Sequence, residues 1–321
     1  MKLTHNLLFT SLCTVIMLTT VQAKVLHINS IVYDNSLNKK SVADLLNSKT
    51  FTEQKSNTTK EKISTNLPNQ VAWIKDPITG CQVMISKAKG DETVSWSGDC
   101  QDGKASGNGV LVVLADNKIV ARFEGTMANG KAEGRGKLDF KVEEGYAHYD
   151  GDFRNSELNG LGVLLFPDNS RAEGNFANDN MNGYIKATLS GGGSYEGEVK
   201  NNIPHGKGLQ ITPQGKEYYG DFVEGKMEGN GTLLYADGDI YVGQFKNDLA
   251  DGMGTLNLAD GSKYNGPFKN GKPNGEGVFT SANGDSAKGL VVNGDPDGKI
   301  IFTLKNGGTR EEIWKNGKKI K

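Results

Sequence analysis

The chain has 321 residues, 43 glycines, 8 prolines and a formal net charge of −1 at pH 7. Glycine is about twice as frequent as the ~7% of an average protein, but the absence of a Gly-X-Y period and the scarcity of proline exclude collagen and low-complexity disorder. The near-neutral charge gives no general attraction to nucleic acid or to an anionic membrane, so no nucleic-acid partner is expected.

The first 23 residues have the three parts of a secretory signal peptide. Lys2 gives a positive start, residues 7–18 form an apolar core, and the segment ends in Val21-Gln22-Ala23, a small-residue pattern that signal peptidase accepts. The apolar core is shorter than the ~20 residues that a membrane-spanning helix needs. We therefore expect cleavage after Ala23 and a secreted or periplasmic protein, with a retained anchor as the alternative.

Residues 24–70 are rich in Asn, Ser, Thr and Lys, which predicts a polar flexible leader. Residues 71–100 contain short apolar segments that predict a strand-rich N-terminal cap. This cap holds Cys81 and Cys100, the two cysteines that follow the signal peptide. An even pair in an exported chain predicts a disulfide. The alternative is a metal site of two thiolates, for which no histidine lies nearby in the sequence.

Residues 96–317 form a repeated array, and from Gly151 onward its period is 23 residues. The first glycine column is Gly151, Gly174, Gly197, Gly220, Gly243, Gly266 and Gly289. The second glycine column is Gly160, Gly183, Gly206, Gly229, Gly252, Gly275 and Gly298. The column of large residues is Phe153, Phe176, Val199, Phe222, Phe245, Phe268, Val291 and Trp314. Copies before residue 151 are 26 or 27 residues apart, so we expect extra residues in their loops.

Each copy has the pattern of a β-hairpin. In the copy at 241–263, Tyr241, Gly243 and Phe245 alternate with other residues, which predicts a strand with one aromatic face. A second alternating strand follows from Gly252, and Ala259-Asp260-Gly261 predicts a turn. We expect the strand glycines to leave room for the ring of a neighbouring repeat. A lone hairpin is marginally stable, so the copies must stack.

The pattern Tyr-x-Gly-x-Phe, Gly-x-Gly, Asp-Gly resembles the MORN repeat (membrane occupation and recognition nexus), and the chain resembles a bacterial secreted or periplasmic member of that family. The likeness is clearest at 218–239, 241–263 and 264–285 and covers about residues 96–317, which leaves 318–321 as a tail. It implies an all-β fold, an elongated single-layer antiparallel sheet of stacked 23-residue β-hairpin repeats. It also implies a shallow aromatic groove.

Several copies depart from the pattern. The copy at 172–194 has Ala172 in place of the leading ring and Ile185 in place of a glycine. The copy at 195–217 has Gln210 where others are apolar, which predicts a bulge or bend in the middle of the array. Near the end, Ala287 again lacks the ring and Ile300 again replaces a glycine.

No residue set in the sequence predicts catalysis, a cofactor or a metal site. Gly-x4-Gly-Lys occurs four times, but the next residue is never the Ser or Thr of a phosphate-binding loop. The histidines do not combine with residues one repeat away into a triad or a zinc site. Asp150, Glu173 and Glu196 lie one period apart, on the face opposite the aromatic rings, which predicts solvated charges.

The aromatic columns are the candidate groove site. Its residues are Phe153, Phe176, Tyr195, Tyr218, Phe222, Tyr241, Phe245, Tyr264, Phe268 and Trp314. Their main expected role is the core between repeats, and rings left open would bind an apolar helix, a lipid chain or a sugar. We therefore predict a non-catalytic scaffold that binds a protein partner at the cell envelope. The alternatives are a phospholipid-binding module and a cell-wall glycan-binding module, and no oligomeric state is predicted.

Overall fold

The computed structural model describes residues 71–86 and 92–321. All regular structure in these two ranges is β-strand. The described residues fall into two compact units, 71–190 and 191–321, which we call the N-terminal unit and the C-terminal unit. The signal peptide predicted at 1–23 and the leader predicted at 24–70 lie outside the described residues.

The strands of the N-terminal unit are β1 (Val71–Lys75), β2 (Gln82–Ser86), β3 (Thr93–Trp96), β4 (Asp99–Gln101), β5 (Lys104–Ala115), β6 (Lys118–Ala128), β7 (Lys131–Val142), β8 (Gly145–Arg154), β9 (Glu157–Leu165), β10 (Arg171–Ala177) and β11 (Asn180–Thr188). The strands of the C-terminal unit are β12 (Ser194–Lys200), β13 (Ile203–Ile211), β14 (Glu217–Val223), β15 (Lys226–Leu234), β16 (Ile240–Lys246), β17 (Leu249–Asn257), β18 (Lys263–Lys269), β19 (Lys272–Pro273), β20 (Gly275–Thr280), β21 (Ser286–Val292), β22 (Asp295–Thr303), β23 (Thr309–Lys315) and β24 (Lys318–Lys319).

Within each unit the strands pair antiparallel in chain order. From β5 to β11 each strand pairs with the next. In the C-terminal unit the order runs in the same way from β12, with β18 pairing with both β19 and β20. One short parallel contact joins β2 to β5. The prediction of an all-β, single-layer sheet of antiparallel hairpin repeats is confirmed.

One tyrosine ring covers a pair of facing glycines in most hairpins. Gly220 on β14 faces Gly231 on β15, and a Cβ atom on Gly231 would lie 2.5 Å from a carbon of the Tyr218 ring. The Tyr218 hydroxyl donates a hydrogen bond to the Asp221 carbonyl oxygen at 3.0 Å. The expectation that a neighbouring repeat supplies this ring is wrong. Residues two apart on a strand share a face, so the strand's own tyrosine lies over its glycine.

Neighbouring repeats meet through the large-residue column instead. Phe245 lies 5.1 Å from Tyr241 of its own repeat and 5.0 Å from Tyr218 of the preceding one, measured between ring centroids, and both pairs are edge-to-face. Phe268 repeats this arrangement with Tyr264 at 5.3 Å and Tyr241 at 4.8 Å. Such contacts add ~0.5–1.5 kcal/mol each to the burial of the rings. The core of the C-terminal unit is therefore a chain of alternating Tyr and Phe rings.

A bulge follows the glycine pair in most hairpins. Gly220 faces Gly231, but Asp221 faces Glu228, so the second strand carries two more residues than the first at this point. Register shifts also occur in β6–β7, β8–β9, β10–β11, β12–β13, β16–β17 and β21–β22. The bulge predicted for the copy at 195–217 is present, but it belongs to the repeat and not to that irregular copy.

Two copies that lack the leading ring fill its place from the facing strand. Gly174 faces Ile185, and a Cβ on Gly174 would lie 2.7 Å from Ile185 Cγ2. Gly289 faces Ile300 in the same way, with a distance of 2.5 Å to Ile300 Cδ1. Alanine and isoleucine thus replace tyrosine and glycine as a pair, because the isoleucine side chain occupies the space that the ring leaves.

The extra residues of the early copies lengthen strands and not loops, contrary to expectation. Strands β5, β6, β7 and β8 have 12, 11, 12 and 10 residues. Strands β14 to β17 have 7 or 9 residues. The β5–β6 connection is the two-residue turn Asp116-Asn117, in which both residues have positive φ. Such a turn matches the twist of the paired strands, so added residues continue the pairing.

The predicted disulfide between Cys81 and Cys100 is present, with a Cα–Cα distance of 5.6 Å. It joins the residue that precedes β2 to β4, and Cys81 is fully buried. Beside it, the buried Asp76 carboxylate accepts hydrogen bonds from the backbone N–H groups of Trp96 and Ile78, both at 2.8 Å. These contacts attach the β1–β2 hairpin to the first repeat.

Candidate functional site

Nine members of the candidate groove are buried. The exposed fractions of their side chains lie between 1% and 5%, for Phe153, Phe176, Tyr195, Tyr218, Phe222, Tyr241, Phe245, Tyr264 and Phe268. Burial raises the pKa of Tyr264 to about 12 and raises the pKa values of Tyr218 and Tyr241 as well, so the hydroxyls stay protonated and donate hydrogen bonds. These nine rings form the core and present no open groove to a partner. Trp314 is only half-buried.

The C-terminal unit contains an apolar cavity of about 110 Å³ beside Trp314. We call it the aromatic pocket. Its lining includes Tyr264, Phe279, Ala287, Ile300, Phe302 and Trp314. These residues come from β18, β20, β21, β22 and β23, so the pocket extends across five strands on the face that carries the core rings.

The aromatic pocket opens where the repeat loses its rings. The positions of Tyr264, Gly266 and Phe268 recur 23 residues later as Ala287, Gly289 and Val291, and after another 23 as Arg310, Glu312 and Trp314. Ile300 is buried and fills part of the space. Ala287 nevertheless stays half-buried, whereas Ala172, which replaces the ring in the N-terminal unit, is 3% exposed. The vacancy at residue 287 is therefore only partly closed.

An ion cluster holds the Trp314 wall of the pocket. Glu312 Oε2 accepts a hydrogen bond from Trp314 Nε1 at 3.1 Å. Glu312 Oε1 lies 2.9 Å from Lys319 Nζ and 3.2 Å from Arg310 Nε. The hydrogen bond from Lys319, foremost among these contacts, holds the pKa of Glu312 below its ordinary value. Arg310 also lies over the Phe302 ring, with Cζ 4.8 Å from the ring centroid.

Charge changes sign along the C-terminal unit. Residues 191–285 contain 8 Lys and Arg against 13 Asp and Glu, a net charge of −5. Residues 286–321 contain 8 Lys and Arg against 4 Asp and Glu, a net charge of +4. The aromatic pocket is lined mainly by this second, basic stretch.

The opposite face of the C-terminal unit carries a row of uncharged side chains, which we call the outer row. It consists of Leu209, Tyr219, Thr232, Val242, Thr255, Asn265 and Val278, each paired with the next across adjacent strands. Tyr219 is 61% exposed and Val242 is 47% exposed. Six strand spacings of ~4.8 Å make the row ~29 Å long.

The same row in the N-terminal unit is mostly charged. Its residues, paired in order, are Val110, Glu124, Lys137, Asp150, Val163, Glu173 and Lys186. Part of it lines an open cleft of about 560 Å³, where Arg135 and Asp150 form an exposed ion pair at 3.1 Å. The two units therefore offer chemically different outer faces. Asp150 and Glu173 lie on this solvated face, where the sequence places them.

Residues 71–86 and 92–321 contain no group of three His, Cys, Asp or Glu side chains close enough to hold a metal ion. Over the same residues no helix has the length and apolar character required to cross a membrane.

Comparison with known families identifies the repeat. The profile of the MORN repeat matches residues 123–141, 149–171, 195–216, 218–240, 241–263 and 264–286. The chain belongs to the MORN-repeat family. Residues 172–194 lie between matched segments. In this copy Ala172 and Ile185 replace the tyrosine and glycine of the repeat pattern, which explains why the profile does not match it.

No curated protein matches the chain. Among solved structures, it is similar to the SAS-4 (dCPAP) TCP domain of Drosophila melanogaster, determined in complex with a proline-rich motif of Ana2 (dSTIL). That match has 13% identity, covers 59% of this chain and 93% of that chain, and has a TM-score of 0.28. A streptogramin B lyase structure matches at 13% identity over 69% of this chain and 73% of that chain, with a TM-score of 0.14. Neither TM-score is high enough to support a functional argument.

The sequence interpretation missed the outer row and placed the open aromatic surface too broadly. The outer row could have been found by following the column of Val242 through the copies, since 219 and 265 are its equivalents at the 23-residue period. The pocket had a signal as well, because Ala287 and Ile300 depart from the repeat together. The sequence does not show how much of the space left by the missing ring at residue 287 is filled by Ile300.

Proposed function

We propose that this MORN-repeat protein is a non-catalytic scaffold, secreted or periplasmic, that binds a protein partner at the cell envelope. The outer row carries this proposal. An exposed row of uncharged side chains with a tyrosine has the composition of a protein interface core, where charged residues are depleted and aromatic residues enriched. In the N-terminal unit the same positions carry Glu, Lys and Asp, whose desolvation would oppose such packing.

The length of the outer row also suits a protein. A standard interface buries ~800 Å² on each partner. The row is ~29 Å long, and the exposed side chains of Val223 and Met253 lie on the same face beside it. A patch of ~800 Å² has similar dimensions, so the row is long enough for one. The disulfide between Cys81 and Cys100 supports the proposed location, since such bonds persist in oxidising compartments.

The two alternatives rest on narrower observations. Phospholipid binding would need a cationic surface, and the segment that contains the outer row has a net charge of −5. Glycan binding would need exposed rings for stacking, and the C-terminal unit offers the exposed Tyr219 on one face and the half-buried Trp314 on the other. Tyr184 and Trp73 are further exposed rings in the N-terminal unit. A protein partner uses the whole row, and the observations favour it.

The test is a pull-down of envelope extract by the full chain. Tyr219→Lys with Val242→Lys introduces two charges into the outer row without touching the core. The matched control is Val163→Lys, which adds a charge to the already charged row of the N-terminal unit. We expect the unaltered chain and the control to retain one discrete protein, and we expect the double variant to lose it.

Retention of lipids or wall fragments alone would overturn the protein-binding proposal in favour of one of the alternatives. Equal retention of the protein by the double variant would show that the outer row is not the contact surface. Circular dichroism and thermal unfolding establish that both variants keep the fold.

A further inference from the structure

We propose that the aromatic pocket binds an aromatic side chain from an acidic segment of the partner protein. This inference rests on the proposed function, because it assumes a protein partner, and it names a second point of contact and its chemistry. The observations that carry it are the missing rings, the charge around the pocket and the fixed position of its wall.

The pocket is a vacancy in a chain of rings. Phe268 packs edge-to-face against two tyrosines, Tyr241 and Tyr264. One repeat later Val291 stands in place of the phenylalanine and Ala287 in place of the tyrosine, so the chain of rings is interrupted before Trp314. Phe279 and Phe302, both half-buried, line the gap. A ring inserted there would regain edge-to-face partners of the kind that the fold uses throughout.

The size of the vacancy limits its occupant. A cavity of about 110 Å³ with an opening to solvent has room for one planar ring or one branched aliphatic side chain. Its lining is apolar, and its walls include Tyr264, Phe302 and Trp314. Aromatic walls favour a ring over an aliphatic group because edge-to-face geometry adds to the burial of apolar area.

The surroundings favour an acidic segment. The net charge is +4 over residues 286–321, and −5 over residues 191–285. Lys318 and Lys305 are exposed within the basic stretch, and Arg310 lies over the Phe302 ring at the pocket. An acidic segment is therefore attracted to this end of the unit and repelled from the rest, within a Debye length of ~8–10 Å at moderate ionic strength.

The pocket wall is held before any ligand arrives. Trp314 donates its indole N–H to Glu312, and Lys319 and Arg310 hold the other oxygen of that carboxylate. Binding then requires little reordering of side chains, and a preorganised site loses less conformational entropy.

The probes are two short synthetic peptides, one with a tyrosine between acidic residues and one with alanine in its place. A third peptide has the tyrosine between lysines. Binding to the full chain is followed by the NMR signal of the Trp314 indole N–H, which is one of three Trp signals and is assigned by its loss in Trp314→Phe. We expect the acidic tyrosine peptide to bind at least about tenfold more tightly than the alanine peptide, because the alanine peptide buries no ring in the pocket. We expect the lysine peptide to bind more weakly, with a difference that falls as salt is added.

The repeat pattern itself indicates a variant in which the aromatic pocket is filled, which we call the blocked variant. Ala287→Tyr with Ile300→Gly restores the tyrosine and glycine that other copies carry at these positions, so the variant should fold and fill its own pocket. We expect it to lose the indole shift, whereas Tyr219→Lys on the opposite face should keep it. Should the blocked variant not fold, Trp314→Ala, which removes one wall, takes its place with binding measured by calorimetry.

Three results would overturn the inference: equal binding of the tyrosine and alanine peptides, an unchanged shift in the folded blocked variant, or an indole shift produced only by anionic vesicles or wall oligosaccharides. The pull-down separates this inference from the proposed function. If the unaltered chain and the blocked variant retain the partner equally, the proposed scaffold function holds and the pocket is not part of the interface. Peptide binding without any retained partner supports the pocket chemistry and overturns the scaffold.

Discussion

Each strand glycine is explained by the ring that lies on it. Tyr218 covers Gly220 and Gly231, and the same ring serves the next repeat by packing on Phe245. The hydroxyl then donates to the carbonyl of Asp221, at the position where the register between β14 and β15 shifts. A single side chain therefore supports the glycine pair, the bulge and the contact between repeats.

Ala172 and Ile185 stand where the copy two periods later has Tyr218 and Gly231. This paired exchange predicts that the effects of mutating Tyr218 and Gly231 on stability are strongly coupled. Gly231→Ile alone should destabilise the fold, because its side chain would occupy the space of the Tyr218 ring. Tyr218→Ala alone should cost about 3–5 kcal/mol by leaving a cavity. In the double variant the isoleucine fills that cavity, so we expect a loss smaller than the sum of the two by ~1–3 kcal/mol. Urea unfolding of the four proteins measures the coupling, with Tyr219→Ala as an exposed control. Additive losses would contradict this account of residues 172 and 185.

At the residue scale the sequence predicts the glycines but not the source of the ring. The two-residue spacing of Tyr218 and Gly220 puts both on one face of β14, but the sequence interpretation assigned the ring to a neighbouring repeat. The distances between the Tyr218 ring and the two glycines depend on how closely β14 and β15 approach each other. No single residue determines that spacing.

At the scale of the element, the hairpin turns connect one repeat to the next. Asn247 and Asp248 both have positive φ, 47° and 70°, which is the conformation of a two-residue turn between twisted strands. Asp248 accepts the Met227 N–H with its carboxylate at 2.8 Å and donates its own N–H to the Met227 carbonyl at 3.1 Å. In the next copy Gly271 donates its N–H to Ala250 in the same way. The turns thus form hydrogen bonds that link successive hairpins along one side of the sheet.

The cap has an acid-sensitive attachment at Asp76. Burial alone would raise the pKa of this carboxyl, but hydrogen bonds from the N–H groups of Trp96, Ile78 and Thr79 outweigh it and lower the pKa. A lowered pKa means that the stabilisation is complete above the unfolded-state value of ~4 and is lost as the pH falls through the folded-state value. We expect Asp76→Asn to be less stable than the unaltered chain at pH 7, and we expect the difference to shrink below pH ~4.

Chemical unfolding followed through the indole fluorescence measures this difference at a series of pH values. Glu124→Gln, which changes an exposed carboxylate in the same unit, is the control. A difference between Asp76→Asn and the unaltered chain that stays constant down to pH ~2 would show that the carboxylate charge does not hold the cap.

At the scale of the whole molecule, the repeat period determines the fold class and gives little information about binding. The two glycine columns, Gly151 to Gly289 and Gly160 to Gly298, predict paired strands, turns and one aromatic face, and these features are present. The proposed binding surfaces depend on residues that the period leaves variable, such as Tyr219 and Val242 on the outer row. They also depend on the copies where the pattern fails, such as Ala287, since a partner needs surface that the core does not use.

The disulfide leads to a prediction about the whole chain. Closing a loop of about 20 residues stabilises the fold by ~3 kcal/mol, but only where thiols are oxidised. We expect the exported chain to begin at Lys24 and to carry the Cys81–Cys100 bond. We expect Ala23→Arg, which removes the small residue at the cleavage position, to retain the signal peptide. Intact mass and N-terminal sequencing measure both properties, with Gln22→Asn as the matched control that keeps Ala23.

The thiols test the same route by an independent measurement. Alkylation of the denatured, unreduced exported chain should leave Cys81 and Cys100 unlabelled. Alkylation of the denatured chain after reduction should label both. In Cys81→Ala with Cys100→Ala, hydrogen exchange should become faster in β2 and β4, which the bond connects, and stay unchanged in β14 to β17. A chain that is found with residues 1–23 attached and both thiols free would refute export. The protein partner would then be expected inside the cell, because the scaffold and its partner must be in the same compartment.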